Sequence, residues 1–171
     1  MIEIKVDTDQ LERSLTQLSQ RLVHRRPLMK KLAAVMHNAV DENFEAEGRP
    51  KWLGIKHRQG RVLRDSGALQ NSISERSDDD TAIVGTNLPY AAIHQFGGPI
   101  QKPARTATVR YRSEAGRILF AGRKHANATA KQVNIPAHQV DMPARPYLGI
   151  SAADDKEIRE IISDWVIGQS K

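Results

Sequence analysis

Tyr90 and His94 come closest, of all residues in this sequence, to a pair that could do chemistry. They lie four positions apart, so on a helix they would share one face. An imidazole in that position can act as a general base or bind a metal ion. No second His or acidic residue follows at the spacing of a metal ligand, and the other histidines are scattered. We therefore interpret His94 as a structural residue, hydrogen-bonded where two segments pack.

Other motifs with a known chemical mechanism are absent from the sequence. There is no GxGxxG, GxxxxGK[ST] or HExxH, and Asp65-Ser66-Gly67 is not a nucleophile elbow. Cys is absent, which excludes disulfides, thiolate metal sites and Cys nucleophiles. The acidic run at residues 78–80 fits a solvated turn. The sequence therefore predicts no catalytic residue, no cofactor, no metal and no small-molecule substrate.

Positive charge is concentrated in two stretches of this 171-residue chain, which has a net charge of +6. Residues 49–64 hold six Lys or Arg and no acidic residue, and residues 101–139 hold eight with one acidic residue, Glu114. The remainder has 12 basic and 19 acidic residues. Neither basic stretch has a helical period, so both are predicted to be loops on an acidic folded body.

The two basic stretches are the candidates for contact with an acidic protein face or with DNA phosphates, although a simple solvated surface remains an alternative. Tyr111 and Phe120 are too few for a single-strand stacking platform, and no helix-turn-helix is evident. Sequence-specific recognition is therefore not predicted. The candidate contact residues are Arg49, Lys51, Lys56, Arg58, Arg61, Lys102, Arg105, Arg110, Arg112, Arg117, Arg123 and Lys124.

The elements before the Tyr90–His94 pair are predicted from apolar periodicity. Alternation over residues 2–6 predicts a strand, and Asp9 begins a helix with leucines at 11, 15, 18 and 22. Pro27 begins a second helix with an apolar stripe that ends at Phe44, unless the two form one long kinked helix. Ser66 is expected to cap a short helix through Ile73. Residues 72–76 and 81–85 are expected to pair as a hairpin.

The stretch around His94 is predicted to be a structural corner. A short strand at residues 82–85 leads into a turn and a short amphipathic segment, which Gly97-Gly98 ends. The corner would direct the basic segment that follows and meet the extended segment of residues 142–150. Its residues are Tyr90, His94, Gln95, Phe96, Gly97, Gly98, Arg145 and Pro146.

The segment at residues 99–141 has little core material and is predicted to be an extended basic arm, ordered only by a partner. Within it, residues 106–111 can pair with residues 117–121 as a hairpin. Ser151 with Asp154 is then expected to cap a last helix, whose apolar stripe of residues 158–166 ends before Gly168. Together, the predicted elements give one α+β domain. It has a small, mainly antiparallel sheet packed by N-terminal and C-terminal helices, with the arm and a basic loop at residues 49–64.

Four pieces of the sequence together resemble one protein family. They are FEAEGRPKW at 44–52, LRDSGAL at 63–69, VGTN with YAAIHQFGG at 84–98, and PARPYLG at 143–149. In this order they resemble the phage virion morphogenesis (tail completion) proteins of Mu-like phages and prophages. The resemblance covers about residues 28–167, so the first strand and helix depend on pattern alone.

The resemblance implies a non-enzymatic assembly role at the head-proximal end of the tail, in tail completion or head–tail joining. Such proteins are similar to tail terminators, whose α+β subunits form rings that are commonly hexamers. It implies other copies of the chain, tail-tube and head-connector proteins as partners. A ring around a DNA passage would also tolerate a positive lumen, with nonspecific phosphate contacts to packaged DNA from the basic loops. It places the protein in the host cytoplasm during assembly and then in the virion. No apolar run reaches the roughly 18 residues of a membrane helix, so no membrane contact is expected.

Two alternatives of other classes follow from the residues themselves. The basic loops suit a sequence-nonspecific DNA-binding protein, which would bind duplex DNA with a steep salt dependence. A hydrolase that uses His94 with a distant acid would lose activity, but not its fold, on replacement of His94 by Ala.

Overall fold

A computed structural model describes residues 8–55, 59–122, 124–125 and 128–168. The chain forms two compact units: one combines the residues up to Phe96 with those from Pro143 onward, and the other spans residues 97–142. The strand predicted at residues 2–6 lies outside the described residues. The α+β class, with small antiparallel sheets and helices near both ends, is confirmed.

The first unit contains all five helices of the described chain and one hairpin. Its elements are α1 Asp9–Val23, α2 Arg26–Glu45, α3 Ala68–Asn71, β1 Ser74–Ser77, β2 Ala82–Gly85, α4 Ala91–Phe96 and α5 Ala152–Ile167. Its core surrounds Phe44, whose ring centroid lies 6.0 Å from that of Trp52 and 5.5 Å from that of Tyr147. Val40, Val62, Leu69, Ile73 and Ala91 complete this buried cluster.

The start of α2 agrees with the prediction from Pro27, which lies in the first helical turn, where its missing N–H costs nothing. His24 and Arg25 separate α1 from α2, so the alternative of one long kinked helix is wrong. Helix α1 begins at Asp9 as expected, with Thr8 as its N-cap residue. In contrast to α2, no residue of α1 is buried.

The short helix α3 differs from its prediction at both ends. Gly67 is the N-cap residue, in a left-handed conformation with φ of +74°, and the Ser66 hydroxyl only accepts a 3.3 Å hydrogen bond from the Ala68 N–H. Ser72 ends the helix because its hydroxyl donates to the carbonyl of Leu69. The predicted span to Ile73 was therefore too long.

The hairpin β1–β2 was predicted correctly and pairs Ser74 with Gly85 through Ser77 with Ala82. Its turn is held by the Asp78 carboxylate, which accepts hydrogen bonds from the N–H groups of Asp80 and Thr81 and from the Thr81 hydroxyl. The Thr81 hydroxyl bond and these N–H bonds lower the pKa of Asp78. The acidic run is thus a turn, as expected.

Helix α5 begins with the predicted capping box. The Ser151 hydroxyl accepts from the Asp154 N–H, and the Asp154 carboxylate accepts from the Ser151 N–H. Gly168 ends the helix in a left-handed conformation, with φ of +86°. The Arg21 guanidinium of α1 lies against Gly168, where a helix C-terminus favours a positive charge.

The second unit consists of strands β3 Gly98–Lys102, β4 Arg105–Glu114, β5 Arg117–Phe120, β6 Thr129–Ile135 and β7 His138–Met142. Strands β3 and β7 pair antiparallel, and β5, β4 and β6 form a separate antiparallel sheet in that order. A hairpin of β4 with β5 is present, through a turn at Ala115-Gly116 whose φ angles of +50° and +76° are both left-handed. It uses residues 111–114 rather than the predicted 106–111, because residues 105–111 pair with β6. Strands β3, β6 and β7 were not predicted.

The two units differ sharply in charge. The second unit holds eight of the 26 basic and two of the 20 acidic residues, a net charge of +6. The other 18 basic and 18 acidic residues of the chain cancel. The expected acidic body is therefore wrong: the body is neutral, because the six basic residues of 49–64 belong to it.

Candidate functional site

Three of the four family-like motifs, at residues 44–52, 84–98 and 143–149, are far apart in sequence and meet in the first unit. The segment of residues 143–150 lies against α2, α4 and the segment that follows α2, and we call this set of contacts the motif junction. Trp52 Nε1 donates to the carbonyl of Pro146 over 3.3 Å, and Arg145 Nε donates to the carbonyl of Leu53 over 3.2 Å. Hydrogen bonds between the motifs therefore fix their relative positions.

Asn43 fixes this segment from the α2 side. Its side-chain Nδ2 donates to the carbonyl of Tyr147 at 2.9 Å and to that of Gly149 at 2.7 Å. Its Oδ1 accepts from Arg49 Nε at 2.9 Å. Asn43 is only 2% exposed, so all three bonds replace water that it cannot reach.

Arg49 connects α2 to the start of α5. Its guanidinium pairs with Glu42 and with Asp154, at 2.8 Å for the Asp154 pair, and also donates to the carbonyl of Ala39 at 2.9 Å. Burial tends to raise the pKa of Asp154, but hydrogen bonds from Ser151 and Arg49 outweigh it and hold that pKa below its usual value. Arg49 was predicted to face a partner or DNA, and the structure places its charge inside the first unit instead.

Gln95 fixes the same segment from α4. Its Oε1 accepts hydrogen bonds from the N–H groups of Tyr147 and Leu148, both at 3.0 Å. One residue earlier, the carbonyl of His94 accepts from the Arg145 N–H at 2.8 Å. The Tyr147 hydroxyl, in turn, donates to the carbonyl of Ala91 at 3.3 Å. Helix α4 thus supplies three acceptors to one extended segment.

Replacing Gln95 with Ala is expected to destabilise the protein by about 2 kcal/mol or more, because two backbone N–H groups lose their acceptor. Gln95→Glu keeps an oxygen in the same place and is expected to lose much less. Urea denaturation followed by circular dichroism compares the two variants. Equal losses for both would show that the hydrogen bonds are not the cause.

His94 is held by packing rather than by its ring nitrogens. Within the described part of the chain, its Nδ1 is buried without a hydrogen-bond partner, so the predicted side-chain hydrogen bond is absent at that atom. Its ring meets that of Tyr90 edge-on, with centroids 5.9 Å apart. Burial, and then the charge of Arg145, lower the pKa of His94. The fold therefore favours the neutral form of the imidazole.

Stability is expected to fall as the pH drops from about 7.5 to about 5.5, because the unfolded chain protonates His94 near its usual pKa and the folded chain, with a lowered pKa, binds that proton less readily. His94→Gln should remove this component, whereas His138→Gln, at an exposed position, should keep it. Melting temperatures at the two pH values measure the effect. An unchanged pH dependence in His94→Gln would contradict the assignment.

The rest of the predicted corner is divided between the junction and the surface. Arg145 is buried, whereas Phe96 is 78% exposed and Tyr90 is 43% exposed. Gly97 and Gly98 have φ angles of +69° and +126°, which L side chains rarely adopt. The glycines thus allow the sharp exit from α4 into β3 that the sequence suggested.

The predicted basic contact residues are distributed over both units, and some lie outside the described residues. Lys56, Arg58 and Arg123 lie outside the described residues. Lys51 is exposed, and Arg61 forms a 3.4 Å ion pair with Glu45 at the end of α2. The other candidates belong to the second unit: Lys102, Arg105, Arg117 and Lys124 are exposed, and Arg110 and Arg112 are half-buried.

Features typical of a small-molecule site are few in the first unit. An apolar groove of about 280 Å³ lies between α2, β2 and residues 148–150, and Met36, Val40, Ile83 and Leu148 are among its lining residues, all of which are apolar. This lining fits an apolar side chain rather than a polar substrate.

Among the residues that the structure describes, no group of His, Cys, Asp or Glu is placed to hold a metal ion. None of the helices described there is long and apolar enough to cross a membrane.

This is an α+β protein in which the motif residues form hydrogen bonds to other segments of the same chain. The chain belongs to the phage virion morphogenesis family, whose sequence profile it matches over residues 6–167.

Two of its relatives come from phage Mu and from a Mu-like prophage. The chain is 40% identical over 166 residues to Mu-like prophage FluMu G protein 2 of Haemophilus influenzae, an alignment that covers 96% of each chain. It is 23% identical to a protein G of Escherichia phage Mu that is named as a capsid assembly protein, over 94% of this chain and 91% of that one. No solved structure matches this chain.

Proposed function

We propose that this chain is a structural, non-enzymatic assembly protein of a Mu-like phage or prophage, which completes the tail or joins it to the head. It acts as a ring-like homo-oligomer, of hexameric size by analogy with tail terminators, at the head-proximal end of the tail. Its partners are further copies of itself, the tail-tube protein and the head-connector proteins. It works in the host cytoplasm during assembly and then stays in the virion.

The observation that carries this proposal is the contrast between the two units. In the first unit, the motif residues are engaged in hydrogen bonds that hold residues 143–150 in place. In the second unit, none of the described residues is buried, and the unit holds the net positive charge of the chain. A neutral, internally fixed body with a charged, unburied sheet suits a subunit that is completed by its neighbours. Family membership and the name of the phage Mu relative, a capsid assembly protein, support a role in virion assembly.

Disrupting the gene in the phage or prophage that encodes the chain tests the proposed role. Electron microscopy of the resulting lysate is expected to show separate heads and tails, or tails of abnormal length. Complementation with the intact gene should restore joined particles. Normal, joined particles in the absence of the protein would contradict the proposal.

Contact with packaged DNA is a second proposal, favoured by one face of the β5-β4-β6 sheet. Arg110 and Arg112 lie two residues apart on β4 and therefore share a face, and the pairing of Glu114 with Arg117 places Arg117 on that face too. Arg112 forms a 2.8 Å ion pair with Glu114, which leaves Arg110 and Arg117 as the candidate phosphate contacts. Cations that contact phosphates bind DNA without reading its sequence, and their contribution weakens as salt rises.

Duplex binding by the oligomer is expected to fall linearly with salt on logarithmic axes. The double variant Arg110→Gln with Arg117→Gln should flatten that slope by roughly two phosphate contacts. Filter binding over a salt series measures the slope. An unchanged slope would rule out this face as the DNA contact.

A further inference from the structure

The β5-β4-β6 sheet has two unlike faces. Directly paired residues of neighbouring strands lie on the same face, and successive residues of one strand alternate between faces. The registers pair Tyr111 with Phe120 and with Thr129, and Ala107 with Val133. One face therefore collects Val109, Tyr111, Ile118, Phe120, Val133 and Ile135, with Lys131 and Arg105 beside them. We call it the apolar sheet face.

The apolar sheet face is open within its own unit. Phe120 is 88% exposed and Ile118 is 77% exposed, and the described residues of the second unit form strands and turns without a helix to cover them. Apolar surface left in water costs about 25 cal/mol per Å² relative to burial. A small sheet with an apolar face reaches stability when another element packs on that face.

The first unit presents an apolar surface of the opposite charge. Helix α1 exposes Leu11, Leu15 and Leu22 to between 47% and 58%, and it contacts α5, which exposes Ile162 and Val166. Helix α5 carries five acidic and two basic residues, while α1 carries two of each, so the pair has a net charge of −3. We call this surface the helix-pair face.

We propose that the apolar sheet face of one copy packs on the helix-pair face of the next copy. This inference rests on the proposed function, and it names the surfaces through which the subunits associate. Apolar area meets apolar area, and Arg105 and Lys131 on the sheet face meet a helix pair with a net charge of −3. At about 1.5 Å per residue, the 15-residue helix α1 spans about 22 Å, a length that the ten-residue strand β4 can match.

Two sheets packed against each other are disfavoured by the same charges. That arrangement would bring two units of net charge +6 together, and like charges across an interface oppose association. A contact between two different surfaces of one chain is head-to-tail. Repetition of such a contact generates a ring when the rotation closes. The charge pattern therefore favours the kind of contact that a ring requires.

Serine variants of the two faces, examined by native mass, test this contact. Ile118→Ser with Phe120→Ser disrupts the sheet face, and Leu11→Ser with Leu15→Ser disrupts the helix-pair face. Each double variant alone is expected to be monomeric. A mixture of the two is expected to form a 1:1 heterodimer, because one intact sheet face still meets one intact helix-pair face. Leu119→Ser is the matched control, since Leu119 pairs with Arg112 on the opposite face, and it should form the wild-type oligomer.

The absence of Cys allows a second measurement that does not depend on the serine variants. A Phe120→Cys chain mixed with a Leu11→Cys, Leu15→Cys or Leu22→Cys chain should form a disulfide-linked heterodimer with at least one of the three. Leu119→Cys should not form one with any of them. These chains carry single substitutions at exposed positions, so their folds are expected to persist.

The outcomes distinguish a wrong contact from a wrong assembly role. If the wild-type protein forms an oligomer and the sheet-face variant forms the same oligomer, the proposed contact is wrong while the assembly role stands. If the helix-face variant alone retains wild-type mass, sheet-on-sheet packing replaces the proposal. Failure of every Phe120→Cys mixture to cross-link would also overturn it. A wild-type chain that never self-associates would instead contradict the proposed function.

Discussion

Replacing Phe44 with Ala is expected to destabilise the first unit by about 3 to 5 kcal/mol. Phe44 is fully buried, and its ring lies between those of Trp52 and Tyr147. The loss combines the transfer free energy of the ring with the cavity that remains, because α2 and residues 143–150 are tied together by hydrogen bonds and cannot collapse freely. A typical domain has a stability of only 5 to 15 kcal/mol, so a large part of it would be lost.

Urea denaturation, followed by tryptophan fluorescence and circular dichroism, measures this effect. Phe96→Ala is the matched control: the same side chain is removed, but from a position that is 78% exposed. It should change the free energy of unfolding by about 0.5 kcal/mol or less. Similar losses for the two variants would show that the aromatic cluster around Phe44 is not the centre of the core.

Replacing Arg49 with Ala is expected to cost about 3 kcal/mol or more, because it leaves Asp154 buried without its cation. The Asp154 side chain is 9% exposed, and Arg49 also supplies bonds to Asn43 and to the carbonyl of Ala39. Arg49→Lys should recover only part of the loss, since an ammonium group cannot span these acceptors as a planar guanidinium does. Equilibrium unfolding at neutral pH gives the comparison.

Arg61→Ala is the control for Arg49, because Arg61 pairs with Glu45 at an exposed position and should contribute about 1 kcal/mol or less. The pH dependence adds a second check. The pKa of Asp154 is lowered in the folded chain, so the stability from its charged form is present above the unfolded pKa and is lost as the pH falls through the folded pKa. The difference between wild type and Arg49→Ala should therefore shrink in acid. A difference that is constant with pH would contradict the role of the Asp154 charge.

Local features of this fold were predictable because their determinants lie within a few residues of one another. Pro27 marked the start of α2, and Ser151 with Asp154 marked the start of α5. The turns at residues 78–80 and 113–116 separated strands that do pair. In each case the hydrogen-bond partners are near neighbours in sequence.

The motif junction was not predictable because its partners are far apart in the chain. Asn43 bonds to residues 104 and 106 positions away, and Arg49 pairs with an acid 105 positions away. The only local signal for Asn43 was an amide beside Val40 and Phe44 on the buried stripe of α2, where an unpaired polar group is costly. Arg49 was predicted to be exposed because it lies in a stretch without acidic residues. Its partner, Asp154, lies far away in the sequence, so the local charge count could not reveal the pair.

The apolar sheet face could be identified only once the register of the strands was known. Strands β4 and β6 each contain apolar residues, but only their pairing shows that these residues gather on one side, with Arg110 and Arg112 on the other. The sequence suggested a basic segment waiting for a partner. The register shows that the same segment also has an apolar surface to bury, which fits a protein neighbour.

The native mass of the purified protein, measured over rising concentration, tests the central claim most directly. The claim is that this member of the phage virion morphogenesis family acts by closed self-association. It predicts one discrete species whose mass is a fixed multiple of the 19.1 kDa chain, and which persists as concentration increases. A monomer at every concentration, or a series of ever larger species without a preferred size, would contradict it.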